Sequence, residues 1–392
     1  MGKASELLKK RYIYSLKEKT DLLIGIELEL PLVSKKGKTD SKVTLGLLKY
    51  LSKDPNYLVL ELDRYGNVIA LKHVENDDMI LFEVSDANLE FAFSPEENIH
   101  VISERFETYK KVINAYLNQY DHYIGEAGIH PNWQKNTNLP IAKDRYEMLI
   151  DYLKLGETHD QLHSYYNYGS FICGSQVQID VTRSNYLSVI NAFNQIEAAK
   201  AYLFANSKFK GENWDTSIAR DIFWEQSMHG LLEKNVGLPA EKYKDEAEFL
   251  DALTQTAMYT VVRDKSHFYF EPVTVAEYFK LDKILAKDTK GKEREIHPKN
   301  GDIDFHRSYL YQSLTTRSTV EFRSVCAQPF DRTFAPAAFH LGLMVNLEKM
   351  EDYLKSCTFF DIYGHNYKKL RRAFSQLNIT EKMAYDVKEF AG

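Results

Sequence analysis

Four short segments set acid or amide side chains on one side of a β-strand and apolar ones on the other. They are Gly25-Ile26-Glu27-Leu28-Glu29-Leu30, Leu81-Phe82-Glu83-Val84, Ser175-Gln176-Val177-Gln178-Ile179-Asp180 and Thr319-Val320-Glu321-Phe322-Arg323. Strand side chains alternate with period two. Glu27 and Glu29 therefore share a face, as do Gln176, Gln178 and Asp180, and as do Glu321 and Arg323. The opposite face carries Ile26, Leu28, Val177, Ile179, Val320 and Phe322, which is ordinary core. A row of carboxylates on a sheet repels itself unless a cation sits on it, and hard divalent cations take oxygen ligands. The pattern predicts a metal–nucleotide or anionic-substrate site laid on an open sheet. Arg220, Arg317 and Arg323 could supply planar forks for phosphate or carboxylate. A surface ion pair explains any one of these residues equally well; the weight comes from recurrence on separate strands.

The chain that must position them has 392 residues, 44% of them hydrophobic, with 26 Tyr and 22 Phe, enough for a sizeable core. We expect one catalytic domain over residues 1–392. The net charge of −6 carries no basic footprint for nucleic acid. Three cysteines without a CxxC pair argue against a disulfide framework or a zinc site and fit a reducing, cytoplasmic setting. No signal peptide or membrane-length apolar run is visible. The histidines form no HExxH pair, and no GxSxG, P-loop or GxGxxG motif occurs.

Residues 3–19 read as a charged helix and 22–33 as a strand that breaks at Pro31. A helix is expected at 41–53, and residues 58–62, 68–73 and 79–84 read as an antiparallel meander. Ser94-Pro95-Glu96-Glu97 resembles a capping box opening a helix to about Tyr120. Further helices are expected at 144–154, 184–206, 245–262, 274–286 and 333–354, with strands at 176–181 and 318–325. Residues 286–304 read as a long loop. The class is α+β, an antiparallel sheet with helices mainly on one side.

Taken in order, the segments resemble the plant-type glutamate–cysteine ligases and the related carboxylate–amine ligases. The similar stretches run from Gly25 to about Pro329. They comprise Gly25–Glu29, Phe82–Glu90, Pro131-Asn132-Trp133, Arg145-Tyr146, Ser175–Asp180, Ser207–Arg220 with Trp214, and Val320–Arg323 preceded by His306 and Arg317. The resemblance implies a glutamine synthetase-like catalytic fold, with a curved antiparallel sheet around the site. It implies that ATP phosphorylates the γ-carboxylate of glutamate and that the amine of cysteine then expels phosphate. By position, Glu27, Glu29, Glu83, Gln178 and Glu321 would hold two or three Mg²⁺ ions. Arg323 and Arg220 would face phosphate or the substrate carboxylate, Arg317 would assist phosphate, and Gln176 with Arg323 would meet the nucleotide. Glu90 and Gln176 would border the amino-acid pocket. Asp86-Ala87-Asn88, Lys208 and Cys326 depart from the family pattern. These departures leave open a different acceptor amine or acid; a separate alternative is a non-catalytic relative that binds nucleotide or amino acid, against which the intact acid set argues.

Overall fold

The computed structural model describes residues 2–392. The strands, in chain order, are β1 (Ile24–Ser34), β2 (Tyr57–Leu62), β3 (Val68–His73), β4 (Met79–Phe82), β5 (Asn88–Ala92), β6 (His122–Ile124), β7 (Ser175–Asp180), β8 (Val236–Gly237), β9 (Ala257–Arg263), β10 (Ser266–Thr274), β11 (Ile284–Asp288), β12 (Glu293–Ile296), β13 (Tyr309–Leu310), β14 (Gln312–Leu314) and β15 (Thr319–Phe322). Nine of them form one sheet in the order β14-β15-β7-β1-β5-β4-β3-β2, with β6 also pairing β1. Every pairing in it is antiparallel. A four-stranded antiparallel sheet, β12-β11-β10-β9, stands apart from it, and β8 pairs β13 in parallel. The fold is α+β with open antiparallel sheets.

Period-two alternation explains the large sheet. Ile24, Ile26, Leu28, Val177, Ile179, Val320 and Phe322 are all buried in one core. The helix Ile99–Asn118 covers this face through Phe106, whose ring meets Phe91 edge-on at 5.2 Å. The helix Tyr186–Gln195 covers it through Phe193, 4.5 Å from Phe322. The polar face looks toward a second cluster rich in aromatic side chains, including Tyr152, Tyr168, Phe171, Phe223 and Tyr259. The site therefore lies between sheet and aromatic cluster.

Several local expectations are corrected. β1 runs through Pro31 to Ser34, because Pro31 stands where the strand exchanges one partner for another. Glu29 N–H still reaches Gly174 on the β7 side, whereas Leu32 pairs Ile124 of β6. No neighbouring strand needs the N–H that proline lacks. The first helix is short, Lys3–Leu8 followed by a π-helical turn to Ile13. The long helix begins at Ile99, capped by Asn98, because Ser94–Glu96 is held extended: Glu96 exchanges backbone hydrogen bonds with Ile24. Residues 184–206 form two helices broken at Ile196, and 333–354 form two more, Ala335–Val345 and Leu347–Ser356.

The 245–262 helix stops at Thr254, and Ala257–Arg263 becomes β9. Its β-branched and aromatic run fits either period but favours a strand. The expected 274–286 helix is one capped turn, Val275–Tyr278, before β11. The expected 286–304 loop is the β11–β12 hairpin, turned at Gly291 with φ +74°, followed by a 3₁₀ segment Asn300–Phe305. β5 was not anticipated as a strand at all.

Candidate active site

Strand register assembles the polar row. Glu27 stands opposite Gln176, and Gly25 opposite Gln178, on β7. Gln178 in turn faces Glu321 on β15. On the other flank, Glu29 faces Glu90 of β5. Glu83 sits just past β4, in a tight turn where its N–H donates to Asn88 O and Ser85 N–H donates to its own carbonyl. The next residue, Val84, has φ +59°, a left-handed conformation that costs a β-branched residue about 1–3 kcal/mol. That strained turn sets Glu83 at the cavity and within 2.8 Å of the Tyr146 hydroxyl, which donates to it. All five expected acids and amides, Glu27, Glu29, Glu83, Gln178 and Glu321, thus share one face with Glu90 and Gln176.

The row has an open end and an enclosed end. At the open end, Gln178 donates through Nε2 to Glu27 at 2.8 Å, and its Oε1 accepts from exposed Arg317 at 2.6 Å. Arg323 bridges the two ends, donating to Glu321 at 2.6 Å and to Gln176 at 3.2 Å. At the enclosed end lies a cavity of about 140 Å³ lined by Glu29, Glu83, Gln176, Arg220 and Arg323. Glu29 accepts from Gly174 N–H at 2.6 Å and from Gln176 Nε2 at 3.0 Å. Gly174 leaves room for the guanidinium: a Cβ there would lie 2.5 Å from Arg220 Nη2 and 3.3 Å from Glu29 Oε2, so Arg220 would have to shift.

Burial shifts three acids of this row. Burial, then the charge of Glu321, pushes Glu27 up to about 7, with Arg323 opposing. Burial raises Glu29 against the pull of Arg220. Burial followed by Glu83, Glu27 and Glu29 holds Glu90 well above the usual carboxylate range. None of Glu27, Glu29 and Glu90 is held in a direct ion pair, and the row's carboxylates and amides offer oxygen, which suits a hard cation. Among the described residues no three such side chains already converge on one point, and Gln178 turns its oxygen toward Arg317. The fit to Mg²⁺ therefore rests on donor chemistry.

Glu90 does not line the cavity; it lies in the acid row instead. Arg317 stands at the open end, away from the cavity lining. Of the departures from the family pattern, only Asn88 touches the cavity. Asp86 is engaged by Thr44, Lys208 is exposed, and Cys326 is fully buried against Ser207 as a structural thiol. Trp133 and Trp214 pack in the aromatic cluster around Phe209, whereas Trp224 lines the cavity and stacks on Tyr309 at 4.7 Å.

The functional reading of the sequence missed Arg145, Arg307, His229, Tyr309 and Tyr311, which also line the cavity. Arg145, Leu149 and Leu153 repeat every four residues on one helix face, and Arg307, Tyr309 and Tyr311 alternate along one segment. The spacing was visible; what it faced was not.

The family model described as glutamate–cysteine ligase family 2 matches residues 23–368. No curated protein matches the sequence. Among solved structures, a bifunctional glutathione synthetase from Pasteurella multocida aligns at 13% identity and TM-score 0.38, covering 98% of this chain and 48% of that one. The chain thus spans about half the length of that protein. A glutamate–cysteine ligase from Francisella tularensis, solved in complex with AMP, aligns at 12% identity and TM-score 0.32, covering 96% of this chain and 93% of that one. With a family match running from the strand that carries Glu27 past the strand that carries Glu321, the chain belongs to glutamate–cysteine ligase family 2.

Proposed function

We propose that this chain is an ATP- and Mg²⁺-dependent carboxylate–amine ligase joining the γ-carboxylate of glutamate to the amine of cysteine through a γ-glutamyl phosphate. Family membership supports a ligase role. The observation that carries the finer reading is the two-ended row, with its buried carboxylates and its arginines beside an enclosed cavity. Phosphoryl transfer to a carboxylate brings anions together, so cations must offset that charge before the bond can form.

In this reading the acid substrate enters the cavity and the nucleotide lies over the open end. Arg220 holds the carboxylate, Arg323 spans the junction where the γ-phosphoryl group passes, and Arg317 meets phosphate. A carboxylate oxygen attacks the γ-phosphorus, the bond to ADP breaks, and ADP leaves with the electron pair. The amine nitrogen then attacks the acyl carbon, the C–O bond breaks, phosphate departs, and the nitrogen releases its proton. The enclosing aromatic cluster keeps water from the acyl phosphate. Glu27, Glu29, Glu83, Glu321 and, with its amide turned, Gln178 would hold two or three Mg²⁺ ions, which when bound neutralise phosphate charge. No covalent enzyme nucleophile is needed.

A second reading keeps the chemistry and changes the amine. Beyond the acids the cavity is walled by Tyr168, Trp224, His229, Tyr309 and Tyr311. An acceptor that reaches this aromatic wall need not be cysteine. The test is ADP release from Mg-ATP and glutamate with cysteine, then with other amines added singly. Cysteine-dependent release establishes the first reading, and release only with another amine the second. No release with any amine removes both.

A further inference from the structure

The helix Tyr367–Phe374 sends one side chain deep into the protein. Arg371 is 3% exposed. Its Nε and Nη2 grip Asp221 side-on at 2.8 and 3.1 Å, and its Nη1 donates to the Glu197 carboxylate at 2.6 Å. Nη2 also donates to the Ser324 carbonyl at 3.0 Å, and the guanidinium lies 4.7 Å from the centre of the Tyr311 ring. Asp221 follows Arg220 in the chain, Ser324 follows Arg323, and Tyr311 lines the same cavity as both arginines.

Of these two, Arg323 is held by Glu321 and Gln176, whereas Arg220 is thinly held. Arg220 makes one side-chain hydrogen bond, to Val325 O at 2.7 Å, and its Nε is buried without a partner, as is that of Arg323. Behind them the buried charges balance: Glu197 and Asp221 against Lys200 and Arg371. Without Arg371, Asp221 would carry an uncompensated charge at the cavity wall. Arg220, on the adjacent residue, would be drawn to it. Position 371 also lies outside residues 23–368 matched by the family model.

We propose that Arg371 is a positioning residue for the ligase reaction: from behind the cavity it fixes the segments that carry Arg220 and Arg323, and it keeps Asp221 from capturing Arg220. This rests on the proposed function. The test is titration calorimetry of glutamate into wild type, Arg371→Lys, Arg371→Met, Arg220→Met and the Arg220→Met/Arg371→Met double variant, with circular dichroism as the folding control. Arg371→Met is expected to weaken glutamate at least tenfold. The double variant is expected to bind no worse than Arg220→Met alone, because both changes act through one group. Losses that multiply would overturn the proposal, since a generally loosened fold adds to the effect of Arg220 rather than sharing it.

If Arg371→Met does not fold, Arg371→Lys carries the test. It keeps the charge and loses the fork, so it is expected to raise KM for the acid substrate, and KM for Mg-ATP to a smaller extent through Arg323. Wild-type values for both would overturn the proposal. If wild type itself ignores glutamate, the ligase reading fails on that count. Inorganic phosphate then serves as the anion probe, and unchanged phosphate affinity in the Arg371 variants overturns the positioning role separately.

Discussion

Two sets of buried carboxylates lie on opposite sides of β7 and β15, and they have met the same physical problem in different ways. Glu197 is fully buried, and burial alone would raise its pKa. Lys200 at 2.6 Å and Arg371 at 2.6 Å together outweigh burial and hold it below the usual range. Gln312 and Ser324 complete its hydrogen bonds. Glu27, Glu29 and Glu90 are also recessed, but none is held in a direct ion pair, and burial raises their pKa values. The first set is complete within the protein and the second is not. A buried charge that the fold leaves uncompensated marks where a ligand belongs, and burial by itself does not distinguish the two.

The comparison can be broken by removing one carboxylate from each set. Glu197→Gln leaves Arg371 and Lys200 without their shared anion and is expected to cost about 3–5 kcal/mol of stability, read by urea unfolding. Glu27→Gln and Glu321→Gln are expected to behave oppositely. Turnover falls by about 10²–10³ in both; the unfolding midpoint stays level or rises for Glu27→Gln as repulsion is relieved, and falls only slightly for Glu321→Gln, which loses its Arg323 pair. Wild-type rates in both variants would sink the metal assignment.

Gly174→Ala tests the seam between arginine and acid. The added Cβ, 2.5 Å from Arg220 Nη2, is expected to lower kcat/KM roughly tenfold to hundredfold by displacing the guanidinium, with Mg-ATP binding preserved.

The smallest effect sharpens the comparison by pH. Glu27 titrates at about 7 when folded against 4.5 unfolded. The folded state therefore binds the extra proton, and its contribution to stability is lost as pH rises from about 4.5 to 7. Glu197 has the opposite sign: its contribution is present above 4.5 and is lost as pH falls through its lowered folded value. Thermal melts in EDTA should show the first slope, and Mg²⁺ should raise the melting temperature more at pH 8 than at pH 5. Equal Mg²⁺ stabilisation at both values would contradict a metal held by these acids.

The acid row was legible because period two alone assigns faces, and Glu27, Gln178 and Glu321 needed only the right strand order to meet. β5 was not legible: Asn88–Ala92 follows a turn whose left-handed Val84 no residue type announces. Ala257–Arg263 was misread because an apolar, β-branched run satisfies both periods until a partner strand exists. Arg145 and Arg307 sit 162 positions apart in the chain, and nothing local says that they flank one cavity. Arg371 was invisible for the same reason: its meaning lies in Asp221 and Ser324, which are distant in sequence.

The order of strands in the large sheet also bears on how the molecule comes into being. β1 lies at its centre, with β5 on one side and β7 on the other, and β15 closes against β7. As the chain is synthesised, β1 can pair β5 once residue 92 has emerged, but its other edge waits for β7 and the row waits for β15. Until then one edge of the central strand and part of the apolar face of the sheet stay open to solvent and to other chains. Such late, non-local closure slows folding and exposes nascent sheets to aggregation. The strand that carries Glu27 and Glu29 is thus among the first made, and the site it founds is among the last completed.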